Sequence, residues 1–501
     1  MTRGSRICHL GVDIGTTSIR AALFDAREGD LLAEEIEPLP VSVTGVRHEL
    51  DFELAWTSVL RALGRLNAGG SWVPGDGESR EGREHVTTLG VSATASTVAA
   101  LDGDLVPLGP GLLWADHRAS AEAAAIRDTR HPVLARNLGH VSPEWGLPKL
   151  MYIWRTSARQ PRARSHPRPA HVVELLDWVN FKLCGELVAN DGIREWGWCV
   201  DDDGRLPADL VERLGVQEPM RHVPHVSLRT GSAIGPVRQE LVADCPMLDG
   251  ARVVMGGMDS YMAALGQGVL KEGRLAASLG SSSSLVAGVD VGNCAGELFG
   301  PMRRILPGSR AGYWHGGQST AGLAVDWVRR LFDADQRDLE AAAEKVPPGS
   351  DGLTFRETLL DRRTPAPEAG LRGVWSGLSL FHGPGHLYRS VLEGVAFGAR
   401  AAAGSLRPSE IVATGGLVES RLFMEILATA FERPVAVLRH ARSAAFGAAF
   451  AGEPERPILL NPVVRWIEPH PGRNAAARGR YAALHRLPRS VGGEVPAAWT
   501  R

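Results

Sequence analysis

Apolar positions recur on both sides of a short polar turn near the start of the chain. Residues 7–14 carry Ile, Leu, Val and Ile at roughly alternate positions, and residues 21–24 form a second apolar run. This pattern predicts two strands joined as a hairpin. Gly15, Thr16 and Thr17 form the turn; glycine lets a ligand approach the backbone, and hydroxyls and turn amides donate to phosphate oxygens. We therefore predict a phosphate-binding hairpin.

Asp13 is the one carboxylate just before this turn. Beside a polyphosphate it requires an intervening cation, so it predicts a Mg²⁺ ion. Glycine-threonine turns also occur in ordinary hairpins, and this segment alone does not separate the two interpretations.

A second segment, residues 275–289, repeats the plan of strand, turn and strand. Gly280, Ser281 and Ser282 occupy its turn. Two similar halves, each with a phosphate hairpin, are typical of actin-like ATPases. A Rossmann domain would need G-x-G-x-x-G between a strand and a helix, and the first hairpin lacks that spacing.

Asp259 follows the apolar strand predicted at residues 251–256, and a helical pattern comes after it. Catalytic groups of α/β sheets lie at the carboxyl ends of strands. A carboxylate there can accept the proton of a hydroxyl that attacks the γ-phosphorus of ATP. The alternative interpretation is a helix N-cap, for which Asp is a preferred residue.

A third glycine-containing turn lies in the last third of the chain. The strand predicted at residues 411–414 ends in Gly415 and Gly416, which would let an adenine base lie against the backbone ahead of the next helix. Residues 443–450 are small and apolar and predict a helix that packs closely on its neighbours.

Length and charge restrict the class of protein. The chain has 501 residues, 44% of them hydrophobic, which is enough for two sizeable cores. With a net charge of −2 and no basic stripe, neither nucleic acid nor a membrane surface is an expected partner. The N-terminus enters the first strand without a signal-peptide core, so we expect a cytoplasmic protein with a small-molecule substrate. A homodimer is plausible, although no surface can be assigned to it.

With these segments in order, residues 7–455 resemble the FGGY family of carbohydrate kinases. Residues 373–378 (GVWSGL) and 386–393 (HLYRSVLE), seven residues apart, fit the family's C-terminal signature position by position. The resemblance implies an α/β fold of two ribonuclease H-like, actin-like ATPase domains with a catalytic cleft between them. We expect an N-terminal domain at 1–250, a C-terminal domain at 251–455 and a tail at 456–501.

The resemblance also implies roles for the residues found above. Asp259 would be the catalytic base, and Asp13 would help to hold Mg-ATP. The turn residues would contact ATP phosphates, and the glycine pair would border adenosine; these ATP-binding residues are Gly15, Thr16, Thr17, Gly280, Ser281, Ser282, Gly415 and Gly416.

Three further segments resemble the ribulokinase branch of the family. Residues 92–96 (SATAS) are similar to D-A-T-C-S, residues 114–119 (WADHRA) to W-M-D-H-R-A, and residues 141–150 contain S-P-E and P-K-L. The implied acceptor site, besides Asp259, consists of Ala93, Thr94, Ser96, Trp114, Asp116 and Arg118. Asp116 and Arg118 can equally form a buried structural ion pair.

Departures from that branch leave the acceptor open. Ser260 follows Asp259 where alanine is usual, His315 stands where glutamate is expected, and Glu195 stands where lysine is common. For Glu195 and His315, two partly exposed surface residues are an equally good interpretation. We expect ATP-dependent phosphorylation of a pentulose such as D-ribulose. The alternatives are a kinase of xylulose, ribitol or erythrulose, an ATPase switch without an acceptor, and a sugar sensor without catalysis.

Overall fold

Two large mixed sheets with the same internal strand order form the framework of the protein. The computed structural model describes residues 6–69, 84–159, 169–308, 312–368, 370–470 and 475–485. The strands are β1 Arg6–Ile14, β2 Ser18–Asp25, β3 Leu31–Pro38, β4 Ser42–Thr44, β5 Arg47–Leu50, β6 Glu84–Ala93, β7 Val98–Leu101, β8 Gly111–Leu112, β9 His171–Glu174, β10 Ala189–Asn190, β11 Ser227–Leu228, β12 Ala233–Pro236, β13 Arg252–Met258, β14 Arg274–Leu279, β15 Ser283–Gly288, β16 Phe299–Met302, β17 Tyr313–Gln318, β18 Thr354–Arg356, β19 Val374–Ser376, β20 Glu410–Thr414, β21 Val435–Leu438 and β22 Val463–Ile467.

The α-helices connect these strands and cover the sheets. They are α1 Phe52–Gly69, α2 Ser120–Asp128, α3 Gly146–Arg159, α4 Leu175–Cys184, α5 Asp191–Gly197, α6 Ala208–Leu214, α7 Gln239–Asp244, α8 Asp259–Gly266, α9 Gly322–Phe332, α10 Gln336–Glu344, α11 Pro384–Ala402, α12 Arg421–Phe431, α13 Ser443–Ala449, α14 Arg456–Leu460 and α15 Ala475–His485.

The first sheet has the order β12-β13-β6-β1-β2-β3, and the second has the order β16-β17-β15-β14-β20-β21-β22. In the first sheet, β1 forms an antiparallel hairpin with β2 and pairs in parallel with β6; β6 pairs in parallel with β13, and β12 is antiparallel to β13 at the edge. In the second sheet, β14 forms an antiparallel hairpin with β15 and pairs in parallel with β20; β20 pairs in parallel with β21, and β22 is antiparallel to β21 at the edge. The prediction of an α/β fold with two similar halves is confirmed.

Each sheet has its own apolar core. Leu10, Val12 and Val91 are fully buried residues of strands in the first sheet, and Leu275 and Leu285 are fully buried residues of strands in the second. Alternate residues of each strand point into these cores, and helices pack on the opposite side of each core. This burial is the main source of stability for both halves.

The strand β13 belongs to the first sheet, because it pairs with β6. Its residues were expected in the C-terminal half, and this expectation is wrong, because a run of apolar residues does not reveal its pairing partner. The boundary between 250 and 251 therefore precedes the last strand of the first sheet. The predicted tail at 456–501 includes β22, which joins the second sheet, while 471–474 and 486–501 lie outside the described residues.

Helices α8 and α13 follow equivalent strands of the two sheets and pack against each other. Helix α13 also lies on the first sheet. A Cβ atom on Gly11 would lie 1.9 Å from the Ala445 carbonyl oxygen, and one on Gly90 would lie 1.9 Å from the Ala448 carbonyl oxygen. Only glycine permits this approach, which confirms the close packing predicted for residues 443–450.

Smaller sheets carry the loops near the cavity described below. The largest has the order β4-β5-β8-β7-β9, and its loops include residues 94–97 and 113–119. Within the described ranges, no helix combines the length and apolar character needed to cross a membrane.

Candidate active site

A cavity of about 850 Å³ lies between the two sheets and is lined by residues of both. Most of the site residues predicted from the sequence line it: Asp13, Thr16, Thr17, Thr94, Ser96, Trp114, Asp259, Gly280, Ser281, Ser282, Gly415 and Gly416. Gly15, Ala93, Asp116 and Arg118 are not among the lining residues. Segments far apart in the sequence thus converge on one space.

Two turns of equal length reach this cavity, one from each sheet. Residues 15–17 join β1 to β2, and residues 280–282 join β14 to β15. The Gly15 N–H donates to the Ser18 carbonyl across 3.0 Å, which closes the first turn. The second turn is stabilised by the first residue of α9, because the Gly322 N–H donates to the Gly280 carbonyl across 2.9 Å. Both turns present hydroxyl side chains to the cavity.

The glycine pair after β20 borders the same cavity. Gly415 has φ +99°, a left-handed conformation that favours glycine, and a Cβ atom there would lie 2.4 Å from the Leu279 carbonyl oxygen. Nothing lies within 4 Å of the position that a Gly416 Cβ would take. The backbone is therefore open to a ligand at Gly416.

Asp259 and Asp13 both line the cavity, and the charge of Asp13 acts on Asp259. Burial, followed by repulsion from Asp13, raises the pKa of Asp259 to about 7. Burial also raises the pKa of Asp13, against the hydrogen bond that the Ser92 hydroxyl donates to its Oδ1 across 2.8 Å. Two adjacent carboxylates in a cavity fit a divalent cation, which would relieve their repulsion.

The N-cap interpretation of Asp259 does not describe its geometry. Met258 occupies the N-cap of α8, and Asp259 is the first residue of the helix. Its Oδ1 accepts a hydrogen bond from the neighbouring Ser260 N–H across 2.7 Å. The carboxylate consequently lies at the carboxyl end of β13, on the cavity wall.

Thr94, Ser96 and Trp114 line the part of the cavity next to the first hairpin. The Trp114 Nε1–H donates to Thr16 Oγ1 across 3.1 Å, which links the two segments. Ser96 has φ +58°, and its buried hydroxyl has no hydrogen-bond partner among the described residues. Below them, the buried Lys149 Nζ donates to the Ser96 carbonyl across 2.5 Å and to the Leu113 carbonyl across 2.7 Å. Lys149 thereby fixes both loops.

Asp116 and Arg118 form the structural ion pair that the sequence left open as an alternative. The Arg118 Nη2–H donates to Asp116 Oδ2 across 2.7 Å, and the His48 N–H donates to the same oxygen across 3.0 Å. Asp116 is fully buried, and Arg118 also pairs with Glu49. These contacts hold the loop that carries Trp114.

An aromatic wall formed by Trp145, Trp196, Phe299 and His315 lies beside Asp259. The ring centroids of Trp196 and His315 are 4.4 Å apart. The Tyr261 hydroxyl lies 3.0 Å from His315 Nδ1. Burial lowers the pKa of His315 to about 3, so the ring is neutral.

The interpretation of Glu195 and His315 as partly exposed surface residues is wrong, because their exposed fractions are 1% and 2%. His315 lines the cavity, whereas Glu195 lies behind it and accepts backbone hydrogen bonds from Arg303 and Arg304. His315 lies in strand β17 and Glu195 in the short helix α5, and neither isolated polar residue shows from sequence that its side chain is buried by distant segments. Their departure from the family pattern was the only indication in the sequence that these two positions belong near the site.

A charged cluster at the same end of the cavity was missed. His117 Nε2 lies 3.3 Å from Glu144 Oε1, and this hydrogen bond raises the pKa of His117. Burial raises the pKa of Glu144, but the His117 hydrogen bond and the charge of Arg363 lower it to about 2. Arg363 comes from the loop after β18, in the other half of the chain. The motif at 141–150 contained Glu144, but nothing pointed to Arg363.

Comparison with known proteins gives the same picture along most of the chain. The model of the N-terminal domain of the FGGY family of carbohydrate kinases matches residues 8–266, and that of the C-terminal domain matches residues 292–453. A ribulokinase from Anoxybacillus flavithermus is 26% identical, over 88% of this chain and 84% of its own. A gluconokinase from Bacillus subtilis is 24% identical, over 88% and 86%. The crystal structure of a xyloylose kinase from Brucella ovis has a TM-score of 0.79 and 26% identity, over 95% and 98%.

Proposed function

Because the chain belongs to the FGGY family of carbohydrate kinases, we propose that it transfers the γ-phosphoryl group of ATP to a hydroxyl of a pentulose such as D-ribulose. The observation that carries the proposal is the convergence of Asp259 and both hydroxyl-bearing turns on one cavity. The segments similar to ribulokinases, at 92–96 and 114–119, supply residues to the same cavity and favour a pentulose.

In this proposal the two turns hold the phosphates of ATP. Thr16 and Thr17 bind from one half, and Ser281 and Ser282 from the other, while backbone amides of the turns add donors. The open backbone at Gly416 accommodates adenosine. A nucleotide held between both halves would draw them together and exclude water from the reacting groups.

Kinases of this family use ATP and typically a divalent metal. We assign Asp13 to this ion, which we take to be Mg²⁺; Mg²⁺ is commonly held by one or two carboxylates together with substrate phosphates. When bound, the ion would neutralise charge on the phosphates. Within the described residues, no cluster of three or more metal-ligating side chains occurs, which fits an ion carried mainly by the nucleotide.

Asp259 then acts as the general base. A pKa of about 7 leaves it sufficiently basic to accept a proton from a hydroxyl and largely ionised above neutral pH. The proton passes to its carboxylate as the acceptor oxygen bonds to the γ-phosphorus, and the bond to the β-phosphate oxygen breaks to release ADP. Trp196 and the other aromatic residues cover the carbon face of the sugar.

The relatives are named for different acceptors, among them ribulose and xylulose, so xylulose is an alternative to D-ribulose. Ribitol and erythrulose are alternatives because the residues near Asp259 depart from the ribulokinase pattern. An ATPase switch without an acceptor would give the wall beside Asp259 no function. A sugar sensor without catalysis is disfavoured because Asp259 and both turns line the cavity together.

The test is ADP release by the purified protein with Mg-ATP and a panel of pentuloses, tetruloses, hexuloses, polyols, gluconate and glycerol. Release that depends on a pentulose and disappears in Asp259→Ala supports the proposal and names the substrate. Release that depends instead on a hexulose, a polyol, gluconate or glycerol retains the kinase reaction but refutes the pentulose as its acceptor. Release that no acceptor stimulates refutes it in favour of an ATPase switch.

A further inference from the structure

Arg363 is a charged residue that the second half contributes to the acceptor end of the cavity, the end formed by Asp259 and the aromatic wall. It lies in the segment between β18 and β19 and lines the cavity together with Asp259 and His315. Among the described residues, no hydrogen bond or ion pair engages its side chain. A half-buried guanidinium without a hydrogen-bond or salt-bridge partner there is available for a ligand.

Its neighbours in the sequence, by contrast, all have partners within the protein. Asp361 accepts a hydrogen bond from the Gly370 N–H across 2.6 Å. Arg362 pairs with Glu368 across 2.6 Å, and Thr364 Oγ1 accepts from the Gly317 N–H across 2.8 Å. The segment is therefore fixed on both sides of Arg363, which limits the entropy lost when Arg363 binds a ligand.

The charge of Arg363 acts on the acceptor end of the cavity. Burial and then Arg363 lower the pKa of His315 to about 3, and burial, Arg127 and Arg363 keep the pKa of His140 at about 4 despite nearby Glu144. Arg363 also opposes the rise in the pKa of Asp259. The charge of Arg363 thus acts on Asp259 and on the His315 ring of the aromatic wall, with which it lines the cavity.

We propose that Arg363 binds the acceptor through an sp² oxygen, either the carbonyl of a ketose or the carboxylate of an aldonic acid. This inference rests on the proposed function and excludes alditols such as ribitol from its acceptors. A guanidinium offers a planar fork of donors and no acceptor, so it matches an atom that only accepts hydrogen bonds better than a hydroxyl, which also donates. Carbonyl and carboxylate oxygens meet that condition, and the corresponding alditol does not.

The experiment compares three acceptors of one carbon skeleton: D-ribulose, D-ribonate and ribitol. We expect the wild-type kcat/KM for ribulose or ribonate to exceed that for ribitol by about 10- to 100-fold, the range of one charge-assisted hydrogen bond. Arg363→Gln removes most of this preference, and Arg363→Lys, which keeps the charge without the fork, retains part of it. Arg362→Gln is the matched control and leaves the preference unchanged, because the Arg362 guanidinium is engaged by Glu368. If ribulose is favoured, the oxygen bound by Arg363 is the ketose carbonyl; if ribonate is favoured, it is the carboxylate.

Two results would overturn the assignment. One is wild-type protein that uses ribitol as well as ribulose and ribonate. The other is an Arg363→Gln variant that loses the same factor with all three acceptors while its KM for ATP rises, which would place Arg363 on the nucleotide. If Arg363→Gln does not fold, as judged by its thermal melt, Arg363→Lys decides.

Calorimetric titration of the three compounds without ATP separates this inference from the proposed function. The wild-type protein could bind ribulose or ribonate, lose this binding in Arg363→Gln and yet show no kinase activity. That result would refute only the proposed reaction. Equal affinity of wild type and variant for all three compounds refutes the role of Arg363.

Discussion

The pKa of Asp259 sets a lower pH limit on the proposed reaction. Burial and the Asp13 carboxylate raise it to about 7, so the ionised form that accepts the proton is lost below neutral pH. With one group of this pKa, about nine-tenths of the molecules are ionised at pH 8 and about one-tenth at pH 6. We expect the second-order rate to fall about tenfold between these pH values.

The assay measures initial rates with ATP and acceptor both far below their KM values, because the rate then reports the free enzyme. ADP is quantified directly, at constant ionic strength, and circular dichroism establishes that the protein is folded at pH 6. Asp13→Asn removes the adjacent negative charge and moves the midpoint to lower pH, even though its rate is reduced.

His117 is the control, because it lines the same cavity and its pKa is raised by Glu144. His117→Gln retains the decrease in rate at low pH if Asp259 is responsible. A rate that is constant between pH 6 and pH 8, or a decrease that vanishes in His117→Gln, would refute the reasoning.

Three further predictions concern single side chains. Asp259→Asn lowers kcat by roughly 10²- to 10⁴-fold, while a fluorescence titration shows that nucleotide affinity is retained. The melting temperature of this variant at pH 8 is higher than that of the wild type, because a carboxyl with a raised pKa destabilises the fold once it is ionised. Asp13→Ala weakens the use of Mg-ATP; an unaltered magnesium dependence of the rate would contradict the assignment. Lys149→Met leaves the Ser96 and Leu113 carbonyls without their donor and lowers the free energy of unfolding by about 3 kcal/mol in urea titrations. Lys345→Met, at an exposed position, changes it by less than about 1 kcal/mol.

Features encoded by short segments could be predicted from the sequence. A three-residue turn between apolar strands identified both hairpins, since turn residues and alternation are local signals. Asp259 and Gly415 were found because each follows an apolar strand and precedes a helical pattern. The duplicated sheet order followed from the duplicated hairpin.

Features that depend on pairing between distant segments could not be predicted. The apolar run of β13 carries no sign of its partner β6, so its sheet was assigned wrongly. Asp116 and Arg118 had two consistent interpretations, and only the position of His48 and Glu49 distinguishes them. Arg363 stands in a charged run, where the sequence does not show which side chain lacks a partner.

The packing of helix α13 on the first sheet has a consequence for synthesis of the protein. Ala445 and Ala448 of this helix cover Gly11 and Gly90, although more than 300 residues separate them in the sequence. On the ribosome, this face of the first sheet stays uncovered until residues 443–449 have been synthesised and have emerged. Until then the N-terminal half cannot complete its core, and the nascent chain exposes apolar surface that a chaperone would recognise.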